Sequence, residues 1–404
     1  MKHTDETQVR NARQGDSLRP RHLALLYSSI FLIYGFNNVA TSAFSGYVDH
    51  LGGDMALAGL QNSLFILLAV ALRFITGPAA AAYGGKPLLV IGAASFLLPC
   101  LALPFCSDLG LAVVLHALQA VGLAAFHPNV AYYIKTTSDK QAAPSRIGIT
   151  RFVSILSLMI LPTTLFPLID RVGYGAFFAA LALIAFAGFL LLMPLPRTRD
   201  EHRANRKSHA IGGGTAASAR LIFSRAFAPV VLAPFPFAAG YAAILLFAPG
   251  FADATHPGTD GMVLTALSVG GMAASLFAAR LADRFGKKRT AALAACFLAA
   301  GLACLAFAPA SIVLMLGGGV LAGAGYFASS TIFVAELGER ADDEAAGVLF
   351  SAQQNFLDLG MVVGSALSGA MLAGGASYTM LFSIWAAAAL AGGVSWHLLY
   401  NEQT

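Results

Sequence analysis

One carboxylate stands where few carboxylates are tolerated. Asp358 lies in QQNFLDLGMVVGSALSG, residues 353–369, a stretch otherwise rich in apolar and small residues. Among the 20 acidic residues it is the only one well inside a long apolar run. A desolvated carboxylate can take up and release a proton, or it can pair with a cation. Arg73 and Arg151 are embedded in the same way and are the candidate partners. The chemistry on offer is therefore proton exchange or ion pairing. At roughly 100° per residue, Gly347, Ser351, Gln354, Asp358 and Ser365 fall within about 60° of one another and form one polar stripe. A second stripe joins Tyr27, Tyr34, Asn38, Thr41 and Ser45, with Asn37 beside it, and suits hydrogen bonding to an uncharged polar group. LHALQAVGLAAFHPN, 115–129, places His116 and His127 on one face with Gln119 between them, and a histidine can titrate near neutral pH. In FAPVVLAPFPFAAGYAAILLF, 227–247, Phe235, Phe237 and Tyr241 surround a Pro-x-Pro break. Tyr34, Asn38, Thr41, Gln119, Gln354 and Tyr241 are the candidate ligand contacts.

The elements holding these residues are membrane spans. The chain has 404 residues, 57% hydrophobic and 11% charged, against about 25% charged in a soluble domain. Apolar stretches recur at about the 20 residues needed to cross a hydrocarbon core. They are long and continuous rather than alternating, which argues against a β-barrel. Twelve spans are expected, near 23–47, 57–80, 87–106, 109–134, 147–168, 174–194, 227–250, 261–281, 290–308, 311–335, 346–371 and 377–399. A charge at the bilayer centre costs about 2.5–3.5 kcal/mol on insertion scales, so Asp358 should face the bundle interior or a cavity.

Residues 1–22 read as a polar tail in which no secretory leader is expected, and 194–225 as a basic, Gly/Ser-rich connection. The expected organisation is a tail at 1–22, a six-helix bundle at 23–194, a linker at 195–226 that could end in an amphipathic segment, a second bundle at 227–399 and a short tail at 400–404. Of the 25 basic residues, 22 fall on the side that carries both termini, only Arg171 falls on the other, and Arg73 and Arg151 lie within spans. By the positive-inside rule both termini are cytoplasmic. The net charge of +5 is then a topology signal, and no nucleic-acid partner is expected.

Between spans two and three stands GPAAAAYGGKPL, 77–88, and between spans eight and nine ARLADRFGKKRT, 279–290. Gly84 and Gly286 align at an offset of 202 residues, about half the chain. The second loop is similar to the signature loop of the major facilitator superfamily, Gly-x-x-x-Asp-Arg-x-Gly-Arg/Lys-Arg/Lys. Asp283, Arg284, Gly286, Lys287 and Lys288 match it, with Ala279 for the first glycine. The first copy keeps Gly77, Gly84 and Lys86 but has Ala81 where the family has Asp. RFITG at 73–77 resembles the Arg-Pro-x-x-Gly of efflux members. The 115–129 stretch resembles their Arg-x-x-Gln-Gly, with His116 for the arginine and Ala120 for the glycine. Gly148 and Pro162 keep the spacing of the exporters' Gly-rich motif, while Ser157, Leu161 and Leu165 replace other glycines. The resemblance implies an all-α fold of twelve transmembrane helices in two pseudo-symmetric six-helix bundles, with span two beside span eleven. Arg73 is then the likelier partner of Asp358. Asp283 could accept hydrogen bonds from a neighbouring helix N-terminus.

There is no Gly-x-x-x-x-Gly-Lys-Ser/Thr phosphate loop, no soluble domain that could hold an enzyme, and no metal-ligand spacing among Cys100, Cys106, Cys296 and Cys304. No cofactor or metal is expected. The expectation is a monomeric secondary transporter of a bacterial inner membrane, in contact with lipid, which exchanges protons for a small organic molecule by alternating access. A drug-like compound or a metabolite fits, siderophores included. Proton-coupled uptake of a sugar or organic acid is the opposing direction. A membrane sensor or scaffold would not need polar stripes on several spans. Asp358, Arg73, His116 and Arg151 are the candidate coupling or gating groups.

Overall fold

The computed structural model describes residues 18–138, 142–197, 220–341 and 343–400. The expected N-terminal and C-terminal tails and most of the linker lie outside the described residues. Among the described residues twelve helices are long and apolar enough to cross a membrane. We label them α1 (Pro20–His50), α2 (Met55–Tyr83), α3 (Gly85–Ala102), α4 (Leu109–Thr137), α5 (Ala143–Leu165) and α6 (Pro167–Leu192) before the linker. After it come α7 (Ala228–Thr255), α8 (Asp260–Phe285), α9 (Lys287–Ala306), α10 (Ile312–Arg340), α11 (Asp343–Ala373) and α12 (Tyr378–Leu399). The protein is all-α.

Several helices outrun their apolar cores because polar ends can be capped. Asp54, Asp108, Ser311 and Ser377 accept N–H bonds at the starts of α2, α4, α10 and α12, which satisfies donors that a helix N-terminus leaves open. All four caps lie on the face opposite the chain ends. On the terminal face, Gly84 ends α2 and begins α3 with φ 88°, and Gly286 does the same between α8 and α9 with φ 83°. A side chain is disfavoured at such φ, so one glycine turns the chain between two spans. The two loops paired by sequence therefore share one backbone device. At the start of α6 the expected loop is instead helical from Pro167, bent at Gly173 with φ 83°.

Proline inside a span removes an N–H and leaves the carbonyl four residues earlier without its partner. In lipid that carbonyl needs another donor. Three such carbonyls are satisfied by side chains of neighbouring helices. Pro128 frees the Ala124 carbonyl, which accepts from Thr76 Oγ1 at 3.0 Å. Pro234 frees that of Val230, which accepts from Gln353 Nε2 at 3.1 Å. Pro249 frees that of Leu245, which accepts from Ser42 Oγ at 2.6 Å. α7 is broken at Ala233, beside the Pro-x-Pro seen in sequence, and α4 tightens at Gln119, whose N–H bonds the His116 carbonyl at 3.0 Å.

The two sets of six helices meet through small residues on the face opposite the chain ends. A Cβ on Gly59 of α2 would lie 2.2 Å from the Ser365 carbonyl oxygen of α11, and one on Gly369 would lie 2.3 Å from that of Met55. A Cβ on Gly261 of α8 would lie 2.6 Å from Thr163 Cα of α5. Ser45 Oγ donates to the Leu246 carbonyl at 2.7 Å, and Thr265 Oγ1 to that of Met159 at 2.6 Å. α1 with α7, α2 with α11 and α5 with α8 thus close this face.

Candidate functional site

A cavity of about 960 Å³ lies between the two sets of helices. Its lining runs from Thr41, Asn62, Tyr241 and Leu245, deep in the molecule, to Ala80, Tyr132, Thr150, Val334 and Phe350. These last residues sit near the ends of α2, α4 and α10 and the starts of α5 and α11, all on the face that carries the chain ends. The cavity opens to that face and is shut at the other by the close helix contacts.

Asp358 is the sixteenth of the 31 residues of α11, lines the cavity, and is 5% exposed. One carboxylate oxygen is ion-paired to Arg73 Nη1 of α2, and the other accepts from Gln354 Nε2 at 3.1 Å. The pair spans the cleft between α2 and α11. Arg151 of α5 spans it on the other flank, donating from Nη2 to Ser330 Oγ of α10 at 2.7 Å. Both intramembrane arginines therefore reach from the first six helices to an acceptor on the last six.

Of the expected ligand contacts, Tyr34, Asn38, Thr41, Gln354 and Tyr241 line the cavity. Tyr34 stacks on His127 with ring centroids 4.0 Å apart, and Tyr241 stacks on Tyr326 at 3.9 Å. His116 and Gln119 are not among the lining residues. His116 is 1% exposed, lies between the rings of Phe44 and Phe65 at 4.1 and 4.7 Å, and meets Gln61 Oε1 through Nδ1 at 2.5 Å. Gln119 is 1% exposed beneath the lining. The helical wheel places a residue on a face; it does not say that packed rings intervene. His127, which shares that face, does reach the cavity.

The signature loop lies apart from the cavity. Lys287 pairs with Glu336 at 3.0 Å and with Glu339, and Glu336 also pairs with Arg340, so the loop is tied to the end of α10. Lys287 makes this tie, while Asp283 is exposed beside it. Arg284 lies over the Phe285 ring at 5.3 Å, and Lys288 is half-buried. In the first half Lys86 donates to the Met193 carbonyl at 2.7 Å and to that of Leu195, holding the end of α6. Gly77 lines the cavity. The glycines missing from α5 have counterparts on facing helices: Gly35 of α1 makes room for Leu161 and Ser157, and Gly261 of α8 for Thr163.

Asn62, Ser330 and Tyr326 belong to the site and its walls but escaped the sequence reading. Asn62 was legible in the polar triplet Gln61-Asn62-Ser63 inside a span. Tyr326 and Ser330 are four apart on α10 and so share a face, but two uncharged residues carry little weight in an apolar run.

Comparison with known proteins agrees with this architecture. The chain is 27% identical over 190 residues to "Multidrug resistance protein MdtM" of Escherichia coli O157:H7, and 26% identical to that of Escherichia coli strain K12. These matches cover 44% of the chain and 45% of each relative, so the chain spans just under half the length of the curated relatives it matches. The fold is similar to that of the nucleoside transporter NupG, with TM-score 0.76 at 14% identity over 95% of this chain and all of the other. It is also similar to a mutant of the peptide transporter POT solved with sulfate, with TM-score 0.72 at 14% identity over 93% of each. The family model described as Major Facilitator Superfamily matches residues 26–258 and 230–404. With twelve spans, paired glycine turns and a cavity between two sets of six helices, this chain is a multi-pass membrane protein that belongs to the Major Facilitator Superfamily.

Proposed function

We propose that the protein is a proton-coupled exporter of a small organic molecule in a bacterial inner membrane, with both termini cytoplasmic. The observation that carries this reading is the Arg73–Asp358 pair, which joins the two sets of helices across a cavity open on one face only. When Asp358 takes up a proton it loses its charge, and the attraction that joins α2 to α11 across the cavity falls away. When it gives the proton up, the pair can re-form. A proton is thereby linked to rocking of the halves about the central cavity. The 22 basic residues on the terminal side support a cytoplasmic open face. Export is supported by the matched segment of a multidrug resistance protein and by the efflux-like stretch at 73–77.

The test is flux in inverted membrane vesicles loaded to be acid inside. An exporter accumulates its substrate as protons leave the lumen. Accumulation under the opposite gradient would mean uptake in the cell and sink the export reading. Asp358→Asn should abolish gradient-driven flux yet leave exchange of bound substrate; undiminished gradient-driven flux would remove Asp358 from the coupling.

A further inference from the structure

Among the described residues that line the cavity, one charge has no side chain of opposite sign beside it. Arg73 and Asp358 offset each other. Arg151 has, among the described residues, only the uncharged Ser330 hydroxyl as a hydrogen-bond acceptor. Among the described residues, the ion pairs join Arg73 to Asp358 and join Lys287 and Arg340 to Glu336 and Glu339; none involves Arg151. A guanidinium carries five N–H donors in a planar fork, and Ser330 occupies one. The remaining donors are free to meet an anion that enters the cavity, which is large enough to admit one as part of a molecule. The remaining polar lining nearby is neutral: Thr150 and Ser154 lie on the same helix, Asn38 and Thr41 on α1, and the Tyr241 ring on α7.

We propose that Arg151 is the docking cation for the single carboxylate of a small organic anion, whose polar body lies between Asn38 and Thr41 on one side and the Tyr241 ring on the other. The proposal rests on the transporter reading above and narrows its substrate class. A cationic substrate would meet Arg151 as a like charge and find the cavity's acid already paired. A dianion would leave one of its charges without a partner. A monocarboxylate matches the fork with two parallel N–H···O bonds. Ser330 keeps the guanidinium oriented in the empty protein and yields it to the stronger acceptor. Because Arg151 and Ser330 sit on opposite sets of helices, that exchange releases one of the two ties across the open face. The two arginines then divide the work: Arg73 answers to the acid that exchanges a proton, and Arg151 to the acid carried by the substrate.

The experiment uses the purified full-length protein and a panel of small carboxylates, each paired with its amide and its amine. Gluconate is set against gluconamide and glucamine, and 4-hydroxybenzoate against 4-hydroxybenzamide and 4-hydroxybenzylamine. Ligand-induced thermal stabilisation gives affinities. Carboxylates should stabilise and their amides and amines should not. Arg151→Gln should weaken carboxylate binding about 10- to 100-fold, with part of it recovered in Arg151→Lys. Ser330→Ala removes the competing acceptor and should tighten binding about threefold. That variant leaves Arg151 in place and carries the test should Arg151→Gln fold poorly. Amides or amines binding as well as carboxylates, no carboxylate binding at all, or an affinity indifferent to both substitutions would overturn the assignment. Flux in vesicles separates the two readings. A neutral or cationic probe driven by the gradient and unaffected by Arg151→Gln keeps the transporter and sinks the carboxylate site. Arg151-dependent carboxylate binding without flux of any probe keeps the site and sinks the transporter reading.

Discussion

Removing Arg73 should cost far more than removing the ion pair as a whole. Asp358 is 5% exposed, and its carboxylate is held by Arg73 and Gln354. In Arg73→Met the carboxylate keeps one neutral donor. Breaking a buried pair from one side costs about 3–5 kcal/mol. The Arg73 side chain retains 20% exposure to the cavity, where water can screen the stranded charge, so we expect about 3 kcal/mol, the low end. Asp358→Asn keeps a polar contact with Gln354 and leaves the guanidinium facing cavity water, at about 1–2 kcal/mol. The double variant carries neither charge and should lose only about 1 kcal/mol, because replacing a whole buried pair is often close to neutral. The implied coupling energy is about 3–4 kcal/mol. It can be measured by titrating detergent-solubilised protein with dodecyl sulfate and following the fluorescence of Trp385 and Trp396, both on α12. Single-variant losses that add to within about 0.5 kcal/mol in the double variant would refute a direct pair.

Three further outcomes follow from the packing. Thr76→Val strands the Ala124 carbonyl and should cost about 1–3 kcal/mol; Pro128→Ala returns the backbone N–H and should abolish that penalty, and a penalty unchanged in the Pro128→Ala background would show that the proline-freed carbonyl is not its cause. Gly59→Leu cannot fit against the Ser365 carbonyl, so it should wedge α2 from α11 on the closed face and raise the labelling of a cysteine introduced at position 42 by an impermeant maleimide; unaltered labelling in a well-folded variant would mean that this contact does not close the face. His116→Asn gives up stacking between two phenyl rings and should cost about 1–2 kcal/mol, while leaving the pH dependence of flux unchanged; a displaced pH profile would return His116 to the proton path.

The spans were legible because lipid imposes a length and a polarity that no other environment imposes together. The pairing of Gly84 with Gly286 was legible because one backbone need, a positive φ between two helices, left the same residue at matching places in both halves. Asp358 and Arg73 were legible by energy, since each is too costly to leave facing acyl chains. The failures share a cause. His116 drew attention through its titratable ring, its helical phase and its place in an efflux-like stretch, and none of these shows the rings of Phe44 and Phe65 that enclose it. Asp283 drew attention as the acid of a known loop, yet Lys287 forms the tie, through Glu336 and Glu339, which lie 49 or more residues along the chain from it. Ser330 is invisible in sequence because its importance derives wholly from the arginine it faces. The degenerate glycine pattern of α5 does not show where room is made, since the space at Leu161 is supplied by Gly35 on another helix.

The hydrogen bonds that answer the prolines explain which parts move together. Thr76 serves Ala124 within the first six helices and Gln353 serves Val230 within the last six. Both bonds can survive a rigid-body rotation of one set against the other. Ser42 serves Leu245 across the divide, as Ser45 serves Leu246 and Thr265 serves Met159, and all three lie where the face is shut. Rocking must surrender these three together with the glycine contacts beside them. The loss is small, because the opening that breaks them admits water to the same carbonyls, and a hydrogen bond exchanged for one to water changes stability by only about 1 kcal/mol. In the proposed cycle the ties at Asp358 and Ser330 are released by a proton and a ligand, and each can shift the balance between two conformations only by as much as its affinity differs between them.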